Sequence, residues 1–287
     1  MKEPLLAGRY SLGDFLGKGV YGQVYAAVDH VDGSRVAIKR VKNTSETAKS
    51  ITRERLACCL DHPHVLPYLN IFSDGPFFYF VMPLMFSSLE KEIYGGTIDP
   101  AKLPGTKLSR ERCKHLFLQL LEALYYLHHQ SVGPEKHSLS HRDLKSANIL
   151  VNFSGDFVIC DFGLCNEATN AGMFQTLNVA SPLYKSPDFL LFSWGHNVDY
   201  DGFALDYWSL GIVLYEAATG TFPFFPQPHE LNQSNVAQIV YELIQRATYD
   251  ESKVEDLEMR TVIKMLLNPD PIKRKENFIK LYRHYCS

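Results

Sequence analysis

Two segments near the N-terminus carry residue types suited to holding phosphate. Gly17-Lys18-Gly19-Val20-Tyr21-Gly22-Gln23-Val24 sets Gly17, Gly19 and Gly22 in a GxGxxGxV spacing. Glycine has no Cβ, so backbone N–H groups there can approach an anion that a side chain would hold off. Alone, the segment reads equally well as an ordinary glycine hairpin. Its context argues against a dinucleotide-binding turn, because Gln23 to Asp29 continues as a β-type run where that turn would open a helix. Val36-Ala37-Ile38-Lys39 then ends an apolar triplet with an ammonium, 17 residues after Gly22. Such a lysine is either a solvated edge charge or a cleft residue that pairs with the α- and β-phosphates of a nucleotide. Its place behind the glycines favours the cleft.

The elements that must position these groups change character near residue 84. Before it, Tyr10 to Leu16, Gln23 to Asp29, Arg35 to Val41 and Phe77 to Val81 are rich in Val, Tyr and Phe and read as strands. Val31-Asp32-Gly33-Ser34 reads as a hairpin tip. One helix interrupts them, over Thr47 to Leu60, with Leu56, Cys59 and Leu60 at the spacing of a buried face. After residue 86 the period is helical. Ser109 to His129 carries Cys113, Leu116, Phe117, Leu120, Leu121, Leu124 and Leu127 on one stripe, with Ser109 as its cap. Phe203 to Thr219, Asn235 to Arg246 and Val254 to Leu267 also read as helices, and Asn268-Pro269-Asp270-Pro271 stops the last. A small β-rich lobe and a larger α-rich lobe follow, with a cleft between them.

Composition narrows the partners. The chain has 287 residues, long enough for one large domain or two lobes, and its 46% hydrophobic and 21% charged residues argue against wholesale disorder. A formal net charge of -3 gives no electrostatic case for nucleic acid or an anionic membrane. The longest uncharged apolar stretch, Pro76 to Phe86, has 11 residues and two prolines, too short and too broken to span a bilayer. The first residues lack the apolar core of a secretion signal. Cys58, Cys59, Cys113, Cys160, Cys165 and Cys286 form neither a zinc-type pairing nor a disulfide framework, so a reduced cytoplasmic or nuclear setting is expected.

His141-Arg142-Asp143-Leu144-Lys145-Ser146-Ala147-Asn148 and Asp161-Phe162-Gly163 follow in order. With them the sequence resembles the eukaryotic protein kinase family over nearly its whole length. The resemblance implies an α+β, bilobal kinase fold: a β-rich N-lobe over residues 1–82, a hinge over 83–87, an α-rich C-lobe over 88–287, and ATP in the cleft. By the same resemblance, Asp143 accepts the proton of a substrate hydroxyl and orients it for in-line attack. Asn148 and Asp161 are hard oxygen ligands for Mg²⁺ on the ATP phosphates. Thirteen residues separate them, room for a hairpin of Ile149 to Val151 and Phe157 to Cys160. Lys145 resembles the serine/threonine branch, where a lysine neutralises the γ-phosphate.

The partner of Lys39 is expected to be Glu54, in Thr52-Arg53-Glu54-Arg55-Leu56. Their spacing of 15 residues is short for the family, so the helix starts late or is shifted; a surface charge is the other reading. Met82 falls at the gatekeeper position. Pro83 lacks an N–H yet offers its carbonyl to the adenine amino group, and Met85 supplies the donor. Val24, Ala37 and Leu150 are the apolar plates of the ring site. Ser186-Pro187-Asp188 resembles the Ala-Pro-Glu end of the activation segment, with Asp188 expected to pair, more loosely than a glutamate, with Arg274. Asp206 resembles the aspartate that holds the catalytic-loop backbone.

Regulation is expected at the same loop. Arg142 stands ready for a phosphate, and Thr176, 12 residues before Asp188, is the expected target of an activating kinase, with Thr169 as a weaker choice. Tyr184 to Leu191 and the Thr52-Arg53-Glu54 context resemble the cyclin-dependent kinase-like group, which implies a cyclin-like regulator. Two departures from that group are Lys185 in place of its arginine and a short stretch from Asp206 to Arg274. Ser131 to Leu139 reads as an inserted surface loop. The implied function is an ATP-dependent serine/threonine protein kinase with a protein substrate. The competing readings are a pseudokinase scaffold and a small-molecule phosphotransferase.

Overall fold

Alternation along Arg35–Lys42 decides where the first half of the chain folds. Val36 and Ile38 pack with Tyr10, Ala27, Tyr79 and Val81 on one face, while Ala37 and Val41 pack with Ile51, Leu66, Phe80 and Met82 on the other. With a period of two, Lys39 shares the face of Ala37 and Val41. A computed structural model describes residues 5–19, 22–129, 138–167, 181–198, 200–227, 230, 235–246 and 249–286. In it β1 (Tyr10–Lys18), β2 (Gly22–Asp29), β3 (Arg35–Lys42), β4 (Asn70–Asp74) and β5 (Phe77–Pro83) form an antiparallel sheet in the order β1-β2-β3-β5-β4. The Asp29–Ser34 turn closes β2 onto β3, with Gly33 at φ 76°. Strand β4 has no counterpart among the predicted strands. It is polar (Asn70, Ser73, Asp74) and lies at the sheet edge, where pairing on one side is enough.

The interposed helix, α1 (Ala48–Leu56), is shorter than predicted and continues only as a 3-10 turn to Cys59. Its buried residues are Ser50, Ile51 and Glu54, whereas Leu56 and Cys59 are exposed and only Leu60 of the predicted stripe is buried. The stripe fails because the buried face of α1 is that of Ser50, Ile51 and Glu54, which turns Leu56 outward, and the chain leaves the α-helix after it.

Helical structure dominates beyond the hinge. β6 (Ser87–Ser88) leads into α2 (Leu89–Tyr94), capped by the Ser88 hydroxyl and ended by Gly95 at φ 72°. α3 (Arg110–His129) buries all seven residues of the predicted stripe. β7 (Leu139–Ser140) pairs with β10 (Asn166–Glu167), and β8 (Ile149–Val151) and β9 (Phe157–Ile159) form the expected hairpin, with β6 on its edge. α4 (Pro187–Ser193) precedes α5 (Gly202–Thr219), which is buried along nearly its whole length and correspondingly apolar on all sides. α6 (Val236–Gln245), α7 (Leu257–Leu266) and α8 (Pro271–Tyr285) complete the lobe. The Asn268-Pro269-Asp270-Pro271 stop signal is also a start. Asp270 accepts from Ile272 and Lys273 N–H and Pro271 takes the first helical position, opening α8. Among the described residues no helix is long and apolar enough to cross a membrane.

The C-terminus of α5 shows how tightly this lobe is closed. Gly220 caps the helix at φ 71°, and its carbonyl accepts from Gly105 N–H at 2.7 Å. A Cβ at position 220 would collide with the backbone of Gly105. Gly220→Ala therefore combines left-handed strain with a backbone clash and is expected to destabilise the fold by about 2 kcal/mol or more. Urea unfolding checks this, and an unchanged midpoint would mean that the Gly105 backbone yields freely.

Candidate active site

The loop that begins at His141 is hung from one buried carboxylate. Asp206, inside α5, accepts N–H bonds from His141 and Arg142, each at 2.7 Å. His128 Nε2, from the last turn of α3, lies 2.8 Å from the same carboxylate. Two successive backbone donors on one acceptor fix the strand-to-loop turn, in which Arg142 holds φ 68°. The following residue is Asp143, also buried. Asn148 Nδ2 donates to its carbonyl at 2.8 Å and to its Oδ2 at 3.1 Å, and Lys145 Nζ lies 2.6 Å from Oδ2. Lys185 Nζ donates to Arg142 O at 2.7 Å and to Asp143 Oδ1 at 3.4 Å. Burial would raise the Asp143 carboxyl, but Lys185 and Lys145 prevail and hold it below the ordinary carboxylate range.

A second charged group joins the two halves of the molecule. Lys39 stands on β3 between Val24 of β2 and Phe80 of β5. Its Nζ donates to Glu54 Oε1 and Oε2 at 2.7 and 2.9 Å, and to Asp161 Oδ1 at 2.8 Å. The short spacing to Glu54 is met because α1 begins only at Ala48 and ends at Leu56, which leaves Glu54 in its last turn with its side chain on Lys39. Asp161 sits at φ 65°, ψ 76°, a conformation disfavoured for a residue with Cβ and held here by its ion pair. Burial acts to lower the lysine, yet the two carboxylates raise it. Burial dominates at Glu54, whose proton affinity is raised. At Asp161 burial is overcome by Lys39, and the carboxyl is held at about 2.

Asn148 and Asp161 suit a hard divalent cation. The amide nitrogen of Asn148 is engaged with Asp143, which leaves its carbonyl oxygen as the remaining ligand atom. Lys39 engages one oxygen of Asp161, a side chain that remains 37% exposed. An amide oxygen and an ionised carboxylate are the donor set that Mg²⁺ prefers. Among the described residues no group of three or more His, Cys, Asp or Glu is placed to hold a metal ion.

The predicted ring site is assembled by packing. Val24, Ala37, Met82, Met85 and Leu150 share one apolar cluster with Leu84, Val158 and Cys160, and Pro83 ends β5 opposite Val36. The three glycines differ in what they do. A Cβ at Gly17 would meet nothing within 4 Å, and one at Gly19 only the Gly22 carbonyl at 4.0 Å. At Gly22 it would lie 2.6 Å from the Arg40 carbonyl. Gly22 is thus demanded by the sheet itself, whereas Gly17 and Gly19 leave backbone open to a ligand.

Asp188 reaches Arg274 with one bond of 2.6 Å to Oδ1, and Oδ2 has no partner among the described residues, as the shorter side chain implies. Thr169, Thr176 and most of Ser131 to Leu139 lie outside the described residues. Three contacts were not anticipated from the sequence. Lys185 is a second cation on Asp143, Tyr68 donates to Glu54 Oε1 at 2.7 Å, and Glu216 accepts from Ser146 Oγ at 2.7 Å and Tyr184 Oη at 2.9 Å. Only Glu216 had a local signal, a carboxylate in an otherwise apolar helix. It ties the catalytic loop to the segment before α4, and burial pushes it up to about 7 against those hydrogen bonds.

Comparison with known proteins follows the same lines. A family model described as protein kinase domain matches residues 10–284. CBL-interacting protein kinase 4 of Oryza sativa subsp. japonica is 31% identical over 280 residues, covering 94% of this chain and 55% of that protein. NUAK family SNF1-like kinase 1 of Homo sapiens is 32% identical over 224 residues, 76% of this chain and 31% of that protein. CBL-interacting serine/threonine-protein kinase 1 of Arabidopsis thaliana is 30% identical over 275 residues, 93% of this chain and 55% of that protein. The chain thus spans about half or less of the length of these relatives. They are CBL-interacting and SNF1-like kinases, so the expected cyclin-dependent kinase-like resemblance is not supported, nor is the cyclin-like regulator that went with it. The segment that suggested it has a local task. Ser186 caps α4, Pro187 starts it and Asp188 binds Arg274, so these residue types report a helix start and not a subgroup.

Glu216 gives this site a pH dependence whose sign is fixed by its raised proton affinity. The folded chain keeps a proton that the unfolded chain loses near the ordinary glutamate range, so the associated stability is lost as pH rises through about 7. Relative to Glu216→Gln, the wild-type unfolding midpoint is expected to fall between about pH 5 and 8, by up to roughly 3 kcal/mol in stability. Parallel thermal melts across that range check it, and parallel pH profiles would show that Glu216 titrates normally.

Proposed function

Because the chain belongs to the protein kinase family, we propose that it transfers the γ-phosphoryl group of ATP to serine or threonine hydroxyls of a protein. The observation that carries this reading is a pair of neighbouring groups, Lys39 on Asp161 and Lys145 with Asn148 on Asp143, joined where Cys160, next to Asp161, donates its N–H to the Asn148 carbonyl. Lys39 offers its ammonium to the α- and β-phosphates from a position set by Glu54. Gly17 and Gly19 present open backbone to the phosphates, and Val24, Ala37 and Leu150 enclose the adenine, with the Pro83 carbonyl and Met85 N–H at its edge. Asn148 and Asp161 would hold Mg²⁺, which when bound neutralises charge on the phosphates.

Asp143 orients the acceptor hydroxyl and takes its proton, while Lys145 faces the transferring group. Ionised Asp143 remains an acceptor at neutral pH because two lysines stabilise its charge. In-line transfer asks mainly for alignment and charge neutralisation, both of which these residues supply. A scaffold without catalysis would not require this set of contacts around Asp143. Activation by a kinase acting at Thr176 belongs to the same proposal and rests on its position 12 residues before Asp188. The six cysteines, all unpaired, fit a reducing cytoplasmic or nuclear setting.

Radiolabelled ATP with a generic basic protein tests the assignment. Asp143→Asn and Lys39→Met are each expected to lower label transfer by about 100-fold or more, with the wild-type label on serine and threonine. Equal labelling by wild type and both variants would overturn the reading.

A further inference from the structure

Helix α1 carries Glu54, yet little in its own sequence holds it in place. It has nine residues, its N-cap Thr47 makes no side-chain cap bond, and its first turn has no acidic residue. A helix this short is marginal on its own, so its position depends on tertiary contacts. Of its residues only Ser50, Ile51 and Glu54 are buried. Glu54 receives Lys39, but Lys39 also binds Asp161, and in the proposed reaction its ammonium must meet the phosphates as well.

Tyr68 meets Glu54 from outside this arrangement. It lies in the connection between α1 and β4, and its hydroxyl donates to Glu54 Oε1 at 2.7 Å. The ring lies 5.5 Å from Phe80 and packs against both the sheet cluster around Ala37, Val41 and Phe80 and the large cluster around α3 and α5. The phenol is thus fixed by two cores while its polar end reaches a carboxylate that is 1% exposed. Buried and accepting three bonds in all, Glu54 would be left short of a partner if the phenol were absent.

We propose that Tyr68 is a positioning residue that latches α1 through Glu54, keeping the carboxylate on Lys39 whichever other group the ammonium engages. Its hydroxyl acts through Glu54. The proposal rests on the kinase reading for its catalytic consequence, but the latch itself is a property of the fold.

The test compares wild type, Tyr68→Phe, Glu54→Gln and the double variant. Tyr68→Phe keeps the ring and removes one hydrogen bond to a charged group, so kcat is expected to fall about tenfold with KM for ATP little changed. In the Glu54→Gln background the same change is expected to add almost nothing, since both act through one contact. An equal fall in both backgrounds, or an unchanged kcat with only a lower unfolding midpoint, overturns the proposal. Amide hydrogen exchange across residues 48–56 reads the latch without any activity. Faster exchange there in Tyr68→Phe, with β3 unchanged, supports it, and unchanged exchange in α1 overturns it. If the wild type transfers no phosphoryl group, the kinase reading fails and the exchange arm still decides the latch.

Discussion

The ammonium of Lys39, held between Glu54 and Asp161, is the interaction on which the arrangement of the site depends. Its three bonds join a helix of the sheet lobe to the segment that follows β9, so they relate the two halves as well as two side chains. Removing these charges from water costs several kcal/mol per ion, which is recovered only where geometry and additional hydrogen bonds are good. Here both Glu54 oxygens are engaged and the lysine directs its donors to two carboxylates. Two carboxylates against one ammonium leave a surplus negative charge. That charge falls on Asp161, the more exposed of the pair and the one held ionised. A divalent cation bound there would balance it, so the same imbalance that makes the cluster awkward in isolation suits it to a metal and a polyphosphate.

Asp206 serves the other half of the site by a different means. It is buried in the middle of α5, a helix packed on all sides, and so offers a fixed point that solvent cannot compete for. By accepting from the His141 and Arg142 N–H groups it sets the backbone from which Asp143 projects, and His128 occupies its remaining side. Position is therefore passed from a rigid core helix to the catalytic loop through charge-assisted bonds, which tolerate little displacement. The loop needs no regular structure of its own to be precise.

Much of this was legible in the sequence because it depends on local order. The alternation of β3 assigns Lys39 to the cleft face, and the stripe of α3 gives its buried side. The motif blocks name Asp143, Asn148 and Asp161, and the meeting of the last two was expected from the hairpin of residues 149–160 between them. What escaped was of two kinds. The existence of β4 and α8 was missed because the signals were double: Pro271 both ends one helix and begins another, and an edge strand can be polar. Tyr68, Lys185 and Ser146 were missed because their roles are set by partners 14, 42 and 70 residues away, which no local pattern records. Gly22 had a motif signal, and the neighbouring strand requires that glycine in addition, irrespective of a ligand.

The two lysines around Asp143 bear on what the carboxylate can do. A general base works best when its proton affinity is near the working pH, and Asp143 lies well on the acidic side of that. It is poorly suited to removing a proton from a free hydroxyl before transfer begins. In the proposed transfer it would orient the hydroxyl by an ionic hydrogen bond and receive the proton late, once the oxygen has begun to bond to phosphorus and its acidity has risen. That order agrees with a loose transition state, in which the nucleophile contributes little early on. Lys185 would then matter for where the carboxylate points: with its amine fixed on the Arg142 carbonyl, it holds Oδ1 while Lys145 and Asn148 hold Oδ2. A weak base, tightly aimed, is the combination these contacts produce.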